Sequence, residues 1–202
     1  MVLYVSKYLH SNKEVIMNKK KKSIRMSRDD RRAQIIDSAM EVFVRKGYNG
    51  ATTADIADEA GISEVTLFRH FDSKKELFMA GLEPILITSL EDSISESEDL
   101  EPIEKLKYIL KDRIDFVSTH NKTIKLILME SQINPEIAEF DYIDKVLALL
   151  KDSIERAGIE LEDEQLSLRM MMGSILSFLY LPETDEEKVE KYVEKLIKTI
   201  KY

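Results

Sequence analysis

The residues able to do chemistry are few in kind. There is no cysteine among the 202 residues, which excludes a disulfide framework, a thiolate nucleophile and cysteine metal sites. The three histidines, His10, His70 and His120, have no metal-ligand spacing. The adjacent acids Asp29–Asp30, Glu162–Asp163 and Glu186–Glu187 sit where helices begin, and there they complement the helix dipole. No nucleophile has a histidine and an orienting acid near it in sequence, and no Gly-rich phosphate loop occurs. The sequence therefore predicts neither an enzyme nor a cofactor or metal site. What remains is one stretch dense in hydroxyl, guanidinium, imidazole and ammonium groups: Thr53, Glu64, Val65, Thr66, Phe68, Arg69, His70 and Lys74. Such groups hydrogen-bond phosphates and base edges.

Three short helices must position them. Ile35, Ile36, Ala39, Met40 and Phe43 recur at helical spacing over 31–46, and Gly47 stops that helix. A second helix has Ile56, Ala57 and Ala60 on its apolar side. Thr52 is its N-cap, with Asp55 three residues on in a capping-box arrangement. Gly61 permits a tight turn. The third helix starts near Ser63 and carries Val65, Leu67, Phe68 and Phe71. Two short helices joined by a Gly-containing turn form a helix-turn-helix unit, whose last helix reads the major groove.

On that reading Thr53 offers its hydroxyl and N–H to a phosphate from the first turn of the second helix. Glu64, Val65 and Thr66 come within reach of base edges. Glu64 either accepts from cytosine N4 or points to water. Arg69 reaches a phosphate or a guanine edge, and His70 is a surface imidazole that helps cap a helix end. Ser73 caps the next helix with Glu76. Lys74 in that first turn opposes the dipole, and a phosphate would favour it.

The stretches AMEVFVRKGYNGATTADIADEAGIS and TLFRHFDSKKELF resemble the DNA-binding domain of the TetR (tetracycline-repressor-like) family. The resemblance implies a DNA head, a ligand-binding body and a homodimer, and it implies that His70 contacts the DNA backbone. Two positions depart from it. Val65 stands where the family often has a small residue, and Phe68 where it usually has a tyrosine whose hydroxyl meets a phosphate.

The formal charge of −8 hides an uneven distribution. Residues 1–80 carry 15 basic and 11 acidic residues, a balance of +4, and the remaining 122 carry 15 and 27, a balance of −12. Phosphate attraction needs a local basic face rather than a basic whole. Residues 1–26, with the run Lys19–Lys22, form a basic leader, either solvated or a DNA-touching arm. No stretch is long and apolar enough for a membrane span, so no membrane partner and a cytoplasmic location are expected.

The fold expected is all-α: a three-helix head over 27–75, then a helical ligand-binding and dimerisation body over 76–202. Pro84 kinks the helix that follows the head, and Glu91–Glu101 reads as an acidic loop. Pro102 and Asn134–Pro135 start further helices. One of these continues from Pro135 to near Gly158. Thr184 and Glu187 form the last capping box. Phe116, Met129, Gln132, Phe140, Met170, Met171 and Tyr180 are the candidate lining of an effector pocket, bulky or adaptable in type. The scarcity of Lys and Arg on apolar faces disfavours a strongly anionic effector. Met172, Ser174, Ile175, Phe178, Leu179, Val189, Val193, Leu196 and Ile197 are expected to form a four-helix dimer interface. The function expected is a repressor released from a palindromic DNA operator by a small apolar or amphiphilic ligand. The alternative is an architectural or interaction protein with a DNA-binding head and no ligand.

Overall fold

The computed structural model describes residues 27–138 and 142–200. The expected leader over 1–26 and the candidate Phe140 lie outside the described residues. All regular structure among the described residues is helical: α1 (Arg28–Gly50), α2 (Thr53–Glu59), α3 (Glu64–Phe68), α4 (Lys74–Glu83), a π-helical turn (Pro84–Thr88), α5 (Ser89–Glu96), α6 (Pro102–Thr119), α7 (Asn121–Ile133), α8 (Pro135–Ala138), α9 (Tyr142–Arg156), α10 (Glu164–Ser177) and α11 (Glu186–Ile200).

The chain divides into two compact units, one of residues 27–85 with 126–138, the other of 86–125 with 142–200. In the first unit α1 packs on α2 and α4, and α8 on α4. Its centre is aromatic. Phe43 meets Phe78 edge-on with centroids 4.9 Å apart, and the Tyr48 ring lies 5.0 Å from that of Phe78. Phe43 and Phe78 are fully buried, worth roughly 1.5–3 kcal/mol each in area removed from water. Gly47 breaks α1 in the left-handed region at φ 74°, a conformation a Cβ would strain. Past this break Tyr48 turns back under the helix. Gly81 serves a different need: a Cβ there would lie 2.5 Å from Met40 Sδ, so its absence lets α4 approach α1 closely.

In the second unit α6 is the central helix, packed by α5, α10 and α11. Leu90, Ile109 and Leu150 form a buried cluster, with Ile94, Val146, Leu149, Leu168 and Met172 around it. Two sequence expectations need correction, the loop at Glu91–Glu101 and the cap at Thr184. Glu91–Glu101 is not a loop over its first half, because α5 extends to Glu96. Its inward stripe is Ser89, Ser93 and Ser97, all buried, and small hydroxyl side chains give no apolar periodicity to detect. At Pro84, where a kink is expected, α4 ends with Pro84 as its C-cap and the chain runs on as a π turn, which accommodates the missing N–H and is a usual place for a helix to kink. Pro135 does open a helix, described as Pro135–Ala138, and α9 is described over Tyr142–Arg156, with the residues between them outside the described residues. The last helix is capped by Asp185, which accepts from the N–H groups of Glu187 at 3.0 Å and Lys188 at 3.3 Å, not by Thr184.

Candidate nucleic-acid interface

The α2–turn–α3 segment is held by its own caps. Thr52 Oγ1 accepts from Asp55 N, and Asp55 Oδ2 accepts from Thr52 N, both at 3.1 Å. The Asp55 carboxylate also meets the Lys46 ammonium at 2.7 Å. That hydrogen bond first, and those from Thr52 second, hold its pKa down at about 2. Gly61, at φ 64°, turns the chain. Ser63 Oγ then accepts from Thr66 N at 3.2 Å and starts α3. The only buried side chain of α3 is Leu67.

This leaves α3 an outward face of Glu64, Val65, Phe68 and, just past its end, Arg69, all exposed. Val65 is 65% exposed and Phe68 47%, apolar surface that nothing in the head covers. Glu64 is not free: Thr53 Oγ1 donates to its Oε1 at 2.6 Å. This bond ties the start of α2 to the start of α3 and engages the hydroxyl that the sequence assigned to a phosphate. Thr66 Oγ1 lies 2.9 Å from Ser63 Oγ, with its methyl available.

Lys74 needs a different account. Its Nζ donates to the carbonyls of Tyr48 at 2.9 Å and Ala51 at 3.0 Å, and it lies 4.5 Å from the Tyr48 ring centroid. Two carbonyls and a ring face satisfy the ammonium where a phosphate had been invoked. One of its three donors remains. His70 is half-buried and its Nδ1 has no hydrogen-bond partner. Burial, then the nearby Arg28, Arg32 and Arg31, lower its pKa.

Sequence reasoning missed two residues that hold this head together. Arg32 donates to the His70 carbonyl and to Glu76, and its guanidinium lies 4.0 Å above the Phe71 ring. Glu130, on α7, is buried and accepts the Tyr48 N–H at 2.9 Å. It also accepts from Asn134 Nδ2. The available signal was its position in the inward series Ile124, Ile127, Glu130.

A profile of the bacterial regulatory proteins of the tetR family matches residues 35–80, the stretch that carries this interface. This match places the stretch in the DNA-binding domain of the TetR family. The chain is 32% identical over 118 residues to the transcriptional activator FasR of Mycolicibacterium smegmatis, covering 56% of this chain and 53% of FasR. It is thus similar to about half the length of that relative. With the regulator TtgR of Pseudomonas putida the identity is 28% over 189 residues, covering 81% of this chain and 88% of TtgR. Among solved structures, the ketosteroid regulator KstR2 of Mycobacterium tuberculosis shares the fold, with TM-score 0.66, 20% identity and coverage of 88% of this chain and 98% of that chain. The family is one of DNA-binding transcription regulators, all-α with a helix-turn-helix head. No helix among the described residues is long and apolar enough to cross a membrane.

The candidate effector residues fall in both compact units. Met129 and Gln132 belong to the first unit and are exposed; Phe116, Met170, Met171 and Tyr180 belong to the second. Met171 is core, Tyr180 is 74% exposed, and Phe116 stacks near His120 with centroids 4.6 Å apart. Three open pockets of the second unit, of about 640, 470 and 320 Å³, are lined by none of them. The expected scarcity of inward cations also fails, since Lys105 and Arg113 of α6 are both buried.

Most of the expected dimer residues face inward. Ile175, Phe178, Leu179, Val189, Val193, Leu196 and Ile197 are buried within the protomer, and Phe178 meets Tyr192 edge-on at 5.1 Å. Met172 and Ser174 are half-buried. Apolar periodicity marks a packed face without saying which molecule packs on it. The exposed side of α10 is another set: Leu166, Arg169, Gly173 and Ser177, continued by Tyr180 and Leu181.

Proposed function

We propose that this protein is a transcription regulator that binds a roughly palindromic DNA operator as a two-fold homodimer and is released by a small effector. The observation that carries the reading is the outward face of α3, with Val65, Phe68 and Arg69 exposed on a helix held by Ser63 and by the Thr53–Glu64 bond. In a major groove, Val65 and Phe68 would meet thymine methyls, Thr66 a base or phosphate, and Arg69 a phosphate or guanine. Lys74 acts chiefly by fixing the loop that carries Thr52 and Thr53, and secondarily through its remaining N–H donor.

A five-residue recognition helix makes few contacts, and two copies on two half-sites multiply them and select spacing. The outer stripe of α10 suits the dimer contact. Leu166, Arg169, Gly173, Ser177 and Leu181 follow one another at three- and four-residue steps, with no side chain at Gly173 to hold helices apart. Repression rather than activation is proposed because an effector that shifts the body need only misplace two heads to lower affinity.

Selection of bound duplexes from a random pool tests this. A palindromic consensus whose affinity falls steeply with salt supports the reading. Binding of all duplexes with equal affinity would favour an architectural role instead.

A further inference from the structure

We infer that the pocket of about 470 Å³ bounded by α5, α6 and α9 takes a singly charged carboxylate with an apolar tail, paired to Lys105. The Lys105 side chain lines this pocket, is only 8% exposed, and makes no ion pair or hydrogen bond among the described residues. The stem of this side chain is covered and its ammonium has no protein partner among the described residues at the pocket wall, so an anion entering the pocket would complete it. Other buried charges in this protein are satisfied. Arg113, two turns further along α6, donates to Ser89 Oγ and Ser89 O at 2.9 Å each and pairs with Asp112. Glu130 accepts two N–H groups. The same α5 stripe holds a second unfinished group, the buried Ser93 hydroxyl, which has no hydrogen-bond partner.

The remaining lining selects the ligand class. Ile94, Leu100 and Leu149 are apolar, and Ile94 and Leu149 pack on the Leu90, Ile109, Leu150 cluster. They suit a hydrocarbon tail or an aromatic ring. Glu91 and Glu98 also line the opening, while Asp152 is held by Arg156 at 3.0 Å. A ligand with one negative charge completes Lys105, and a second charge would meet these glutamates. Phosphate esters are therefore disfavoured and carboxylates preferred. This assigns an effector class to the proposed regulator and rests on that reading for its consequence at DNA, though not for binding itself.

The test uses the full chain and calorimetric titration below micelle concentrations. Decanoate and 2-naphthoate separate the aliphatic from the aromatic source of the same chemistry, and decanol and decyl phosphate are the neutral and dianionic controls. At least one carboxylate should bind about tenfold or more tightly than decanol and than decyl phosphate, a difference the affinity scale resolves. Lys105→Met should abolish that preference and leave decanol binding unchanged. Carboxylates that bind no better than decanol, or a Lys105→Met protein that keeps the preference, would overturn the assignment. If Lys105→Met does not fold, the wild-type ranking of the four probes decides alone. Operator binding is measured in parallel without ligand. Its failure with carboxylate binding intact refutes the regulator, and the reverse refutes only this pocket.

Discussion

The carboxylate of Glu130 holds the backbone N–H of Tyr48 at 2.9 Å, from 82 residues further along the chain. On the other side of the same residue, the Lys74 ammonium holds the Tyr48 carbonyl at 2.9 Å. The peptide after the Gly47 break is thus gripped from α7 and from α4. Since both ends of this clasp lie in the first compact unit, it sets the geometry at which α1 hands over to α2.

Glu130→Ala should leave the buried Tyr48 N–H unpaired and cost about 1–3 kcal/mol. Urea denaturation measures this through the transition midpoint. A midpoint unchanged from wild type would mean that water or another acceptor replaces the carboxylate at no cost.

Acid stability should carry a mark of Asp55. Its pKa of about 2 lies below the ordinary 3.8, so its ionised form is favoured by folding. The resulting stability is present above pH 3.8 and is lost as pH falls toward 2. Asp55→Asn should be less stable than wild type at neutral pH, with the gap closing across that window. A gap independent of pH would point to lost geometry rather than lost charge.

On the DNA face, Arg69→Ala should weaken binding to all duplexes and reduce the salt slope by about one. Phe68→Tyr should act oppositely. It adds a hydroxyl to a 47% exposed ring, and one net hydrogen bond is worth about 0.5–1.5 kcal/mol. Fluorescence anisotropy across a salt series reads both. If Arg69→Ala changed affinity by less than about twofold at moderate salt, the face would be misplaced.

Two glutamate substitutions separate dimer surface from protomer core. Leu166→Glu, at an exposed position of α10, should leave the protein folded and shift sedimentation to the monomer. Val193→Glu introduces an unpaired charge at a fully buried position of α11 and should abolish folding. A folded, dimeric Leu166→Glu protein would move the interface elsewhere.

By itself the sequence determined the elements whose causes are local. The Thr52–Asp55 and Ser63 caps, the break at Gly47 and the turn at Gly61 each depend on residues a few positions apart, so spacing revealed them. The helix-turn-helix head follows from these and from the inward series Ile56, Ala57 and Leu67. Tertiary structure alone decided the partners. Lys74 reads as a phosphate ligand until α4 sets it against the carbonyls of Tyr48 and Ala51. Val193 and Ile175 read as dimer surface until α6 covers them, because an amphipathic pattern has one solution whether the neighbour is the same chain or another. Lys105 looks like any solvated lysine in a charged helix. Its position follows from α5, α6 and α9 meeting around one pocket, and polarity in sequence carries no record of which long side chain the neighbouring helices will cover.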